Sequence, residues 1–147
     1  MVWGQLLVGA LAGMAAGAIL AILSHLAPRF GAGNFIQDKD IPTLFGKPIS
    51  RREAYLVGMF AHLSLSAFFG LLFALFVEIG WFPGFLYVPM LLFVVGLTLV
   101  VGLVVMPLEG HGVFGRKHDA WFMVDALITN VIWGHLFLLL ARLWMVR

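Results

Sequence analysis

The chain has 147 residues, 63% of them hydrophobic and 11% charged, with a net charge of +2 at pH 7 and no cysteine. A water-soluble domain of this length has too little interior to hide that much apolar surface, and the absence of thiols excludes disulfides, thiolate metal sites, c-type haem attachment and palmitoylation. The small positive excess comes from loops, and no segment resembles a nucleic-acid-binding motif.

No Asp, Glu, Lys or Arg occurs from Val2 to Pro28, from Ala54 to Val77, or from Ile79 to Leu108. Each gap exceeds the roughly 20 apolar residues a helix needs to span hydrocarbon. A fourth apolar stretch, Ala120 to Met145, is interrupted by Asp125 and Arg142. The expectation is an all-α integral membrane four-helix bundle of antiparallel hairpins, a single transmembrane domain over residues 1–147. Its helices are predicted at about 2–27, 51–79, 83–108 and 119–145, with a structured cytoplasmic loop over 28–50. The first apolar stretch is too long for a signal peptide and lacks a basic flank, so it is read as a span.

In chain order, helix 1 carries Gly9, Gly13, Gly17, Ala21 and His25 at i+4, one smooth stripe suited to close backbone approach. The loop that follows is too apolar for a disordered linker, with Phe30, Phe35, Ile36, Ile41, Leu44 and Phe45; it is expected to fold back on the membrane face or to dock a partner. Helix 2 opens with Ser50-Arg51-Arg52-Glu53, a capping box, and carries Gly58, His62, Ser66 and Gly70 at i+4. The short Glu78–Phe82 turn predicts that helices 2 and 3 pack as a hairpin. Pro83 suits a first helical turn. Pro89 predicts either a kink or the true start of helix 3, with the preceding residues lying along the interface. Helix 3 offers Gly96, Thr98 and Gly102 as a further small face.

Lys and Arg are unevenly distributed. Arg29, Lys39, Lys47, Arg51, Arg52, Arg116 and Lys117 fall on one side of a four-span bundle; Arg142 and Arg147 fall on the other. The positive-inside rule then predicts both long connections in the cytoplasm and both termini outside. Trp3, Trp81, Tyr87 and Trp144 fall near the outer interface, Tyr55 and Trp121 near the inner one. The expected setting is a prokaryotic inner (plasma) membrane.

Ionisable residues at membrane depth are costly and tend to face a bundle interior. At about 1.5 Å per residue, His62 lies ~15 Å in from Arg52, Asp125 ~9 Å from the inner edge, and His135 ~24 Å in. The ~9 Å mismatch between His62 and His135 argues against a haem b held by that pair. His25, Glu109, His111 and His118 share the cytoplasmic level, and imidazole with carboxylate suits non-haem Fe, Zn or Mn. Their spacing matches no helical metal signature, and the competing reading is a glycine-rich polar turn in which Asp119 caps helix 4. Asp125 and Thr129 share one face of helix 4, directed towards His62 and Ser66. That face reads either as a proton or ion path or as a buried hydrogen-bonded pair fixing helices 2 and 4.

No nucleophile elbow, P-loop or dinucleotide fingerprint occurs, which leans away from an enzyme. Three functions remain, in this order. The first is a non-catalytic subunit of a larger membrane assembly or homo-oligomer, packed through Gly9, Gly13, Gly17, Gly58, Gly70, Gly96 and Gly102. The second is a haem- or metal-binding redox protein using His25, His62, Glu109, His111 and His118. The third is a proton-coupled transporter or channel using His62, Ser66, Asp125 and Thr129.

Overall fold

The computed structural model describes residues 2–26, 43–44, 47–48, 50–108, 112–116 and 121–145. Four helices in it are long and apolar enough to cross a membrane, and they pack together. This is an integral membrane protein built as an all-α bundle. Helix α1 is Val2–Leu26, α2 is Arg51–Glu78, α3 is Tyr87–Val100 and α4 is Phe122–Met145. Between α1 and α2 the described residues include a two-residue antiparallel ladder, Thr43–Leu44 with Lys47–Pro48. The rest of the loop expected over 28–50 lies outside the described residues, Ser50 apart.

The expected capping box starts α2: Glu53 N donates to Ser50 Oγ at 3.2 Å and Ser50 N donates to Glu53 Oε2 at 2.8 Å. The helix ends at Gly80, whose φ of +80° is open to glycine at no steric cost. Trp81 N and Phe82 N then both donate to Phe76 O. Helix α3 begins at Tyr87, not near residue 83, so the second of the two expectations for Pro89 holds. Pro89 lies in the first turn, where a missing N–H costs nothing, and residues 81–85 form bends ahead of it.

After Val100 the helix widens into a π turn, Val101–Val105, with Met106 N donating to Val101 O. It resumes as α-helix over Met106–Leu108, the last described residues before the connection. Pro107 accounts for this: a proline in an α-helix strands the carbonyl four residues earlier and collides with it, and a widened turn relieves the clash.

The helices pack in the spatial order α2–α1–α4–α3. Helices α2 and α3, joined by the short turn, meet through rings rather than backbone. Phe73 is fully buried, with Phe82, Phe85, Phe93 and Phe137 at centroid distances of 5.3 to 5.6 Å, mostly edge to face. Arg142 on α4 secures the same end by donating to Phe85 O at 2.9 Å.

Candidate functional site

The glycines of α1 perform two tasks. They let α2 approach, and they leave backbone carbonyls open to side-chain donors. A Cβ on Gly13 would lie 2.9 Å from Gly70 Cα and collide with Ser66 O; one on Gly9 would lie 2.6 Å from Ala74 Cβ. Ser66 is buried against Gly17. Gly13 O accepts from Trp133 Nε1 of α4 at 3.2 Å, and Gly17 O lies 3.1 Å from His62 Nε2 of α2. A carbonyl oxygen only accepts, so His62 Nε2 carries a proton and donates it; in the neutral ring Nδ1 is then the acceptor. One stripe on α1 therefore holds α2 and α4 by contact and by hydrogen bonds, both of which drive association in lipid.

Helices α3 and α4 are joined by a short relay. Asn130 Nδ2 donates to Thr98 Oγ1 at 2.8 Å, and Thr98 Oγ1 donates to Val94 O at 2.7 Å. Gly134 of α4 lies under Met90 and Val94, where a Cβ would come within 3.1 Å of each.

Two of the predicted packing glycines have no close neighbour among the described residues of this chain. Cβ atoms on Gly58 and Gly96 would meet nothing within 4 Å, so these two face open space. Gly102 is in contact, but with the connection and α4: a Cβ there would lie 2.5 Å from Phe114 Cδ1 and 2.7 Å from Met123 Cε. Phe114 holds a left-handed φ of +58° between Gly112 and Gly115, both also positive, a backbone cost accepted where packing fixes the side chain.

No known family, curated protein or solved structure matches this chain. The site must be read from its own geometry.

A groove opens beside His62. Helix α1 lines it with Leu20 and Ala21, α2 with Tyr55, Gly58, Met59 and His62, and α4 with Thr129; its volume is about 330 Å3. Thr129 and His62 thus share one cleft. Asp125 is not in its lining. Among the described residues, no hydrogen bond or ion pair joins Asp125 to His62, whose ring bonds to Gly17 instead. His135 is also committed locally: Nδ1 donates to Val131 O at 2.8 Å, and the ring sits edge-on to Tyr87. The two membrane histidines therefore serve different helices and do not form one axial pair.

The candidate ligands Glu109, His111 and His118 lie outside the described residues, as does the side chain of His25. Among the described residues, no three His, Asp or Glu side chains converge. Gly58 and His62 are expected from the sequence on one stripe of α2, but Met59 is not; it joins them and Tyr55 in the groove at helical spacing, a signal that was readable. The Trp133 bond had no such mark, because its partner is a backbone carbonyl.

The His62 bond spans two helices in a largely apolar setting, where such bonds contribute about 0.6 kcal/mol on average and up to ~1.7. His62→Ala is expected to lower stability by about 1 kcal/mol, read as a modest fall in the thermal midpoint in detergent.

Proposed function

We propose that this protein is a non-catalytic membrane subunit, a compact scaffold that joins a larger membrane assembly or copies of itself. The observation that carries the reading is how the interior polar side chains are spent. His62, Trp133, Thr98 and Asn130 each hold one helix to another or to its own carbonyls. Such bonds fix a bundle's geometry and suit a rigid part of an assembly.

The first half of α2 supports the reading. Leu56 and Phe60 stand exposed on a face roughly 100–150° around the helix from the groove. That face is apolar and free for a second helix to pack against. The distribution of Lys and Arg favours an orientation with the Arg51–Arg52 and Arg116–Lys117 ends in the cytoplasm, in a prokaryotic plasma membrane.

The chain has no cysteine, so single-cysteine variants make clean probes. With a thiol-linked photo-cross-linker in native membranes, Leu56→Cys and Phe60→Cys are expected to give a discrete adduct larger than the monomer. Leu92→Cys on α3 is the control, since Leu92 is 64% exposed and Phe60 75%, so accessibility alone does not separate them. Monomer at all three positions, or equal adducts at all three, defeats the subunit reading.

A further inference from the structure

Helices α1 and α2 are pinned where Gly13 meets Gly70, and again where Ser66 lies on Gly17. One turn nearer Arg51, the long His62 side chain reaches α1 at Gly17 O. A further turn on, Gly58 touches nothing. The two helices therefore diverge towards the Arg51 end, leaving a wedge with His62 near its vertex and Thr129 of α4 on one wall.

We propose that this wedge is a binding site for a compact, uncharged, largely apolar molecule bearing one hydroxyl group, a phenol or small alcohol that enters from the lipid. Three features select that chemistry. The volume of about 330 Å3 is roughly twice the 150 Å3 void that holds benzene, which sets the ligand at on the order of a dozen heavy atoms. The walls are mainly apolar, and no Asp, Glu, Lys or Arg lines them, so a carboxylate or ammonium would be buried without a counter-charge. His62 uses Nε2–H on Gly17 O, which leaves Nδ1 as an acceptor. His62 is half-buried and lines the groove, on the side where a ligand would sit. A ligand hydroxyl donates to it, and the Thr129 and Tyr55 hydroxyls can satisfy the ligand oxygen's lone pairs.

The test uses the full chain in nanodiscs with 13C-labelled methionine methyls, the Met59 signal being assigned by Met59→Leu. Titration with 4-pentylphenol is expected to shift the Met59 methyl saturably, while the Met90 methyl, buried between α3 and α4, stays in place. The methyl ether 4-pentylanisole cannot donate to Nδ1 and is expected to bind about fivefold more weakly. Gly58→Leu fills the wedge and is expected to abolish the saturable shift; an unmoved Met90 signal in that variant reports that the bundle is intact. A linear shift common to both methyls, equal affinity for phenol and ether, or unchanged binding in Gly58→Leu with Met90 in place overturns the proposal. The ether comparison stands even where the variant does not fold.

Discussion

Gly13→Leu is expected to unfasten α1 from both of its neighbours. A Cβ at this position would lie 2.9 Å from Gly70 Cα and press on Ser66 O. The obstruction is backbone, which cannot rotate away as a side-chain tip can. The helices must separate, and separation also stretches the Trp133 bond to Gly13 O. Overpacked cores lose typically 1–3 kcal/mol; with backbone on both sides and an interhelical bond in addition, about 3 kcal/mol is expected. Gly96→Ala is the matched control. Its Cβ enters open space, and alanine is the better helix residue, so stability is expected to rise slightly or stay level. Thermal midpoints of the two variants in detergent, alongside the parent chain, give the comparison. Equal losses would show that α1 is not the pinned element described above.

Phe73→Ala is expected to have the next largest effect. Phe73 is fully buried and touches rings from the α2–α3 turn, from α3 and from α4. Its removal leaves a cavity where three parts of the chain meet. In water-soluble cores such a truncation costs about 3–5 kcal/mol. Here the separated helices rest in lipid, which is itself apolar, so the transfer part of that cost falls away. Lost packing and lost edge-to-face contacts remain, and about 2–3 kcal/mol is expected. The same denaturation series reads it. Phe68→Ala gives the contrast, because Phe68 is 54% exposed, and its loss is expected to stay below about 1 kcal/mol.

The four spans were legible because the charges leave gaps of bilayer length, and the Ser50–Glu53 cap because its letters specify its bonds. The α1 stripe was legible for the same reason: Gly9, Gly13 and Gly17 repeat at the helical period, and α2 lies along all three. Spacing alone did not separate Gly70 from Gly58, since both share one face of α2 and only the divergence from α1 leaves the second without a neighbour. Depth paired His62 with Asp125, and Thr129 entered as a residue on the Asp125 face of its helix. Depth could not supply the direction of the His62 ring, and the partner it found, Gly17 O, is a backbone group that no residue type announces. Asp125 was joined to His62 on depth alone, and the two do not share the groove. Pro107 was an available hint of the π turn, but a proline states that a helix must adjust without stating how.

The spatial order α2–α1–α4–α3 bears on how the chain is made. A nascent chain delivers its segments in sequence, and early units settle before late ones appear. The α1–α2 contacts at Gly9, Gly13 and Gly17 are all in place once Ala74 has emerged. The third segment then arrives with little to rest its backbone against. Phe93 meets the Phe73 and Phe76 rings of α2, and closer packing comes with α4, which brings Asn130 to Thr98 and Gly134 beneath Met90. Helix α4 is therefore the keystone: before it arrives, α3 is held to α2 through Phe93 on the Phe73 and Phe76 rings, without a close backbone partner.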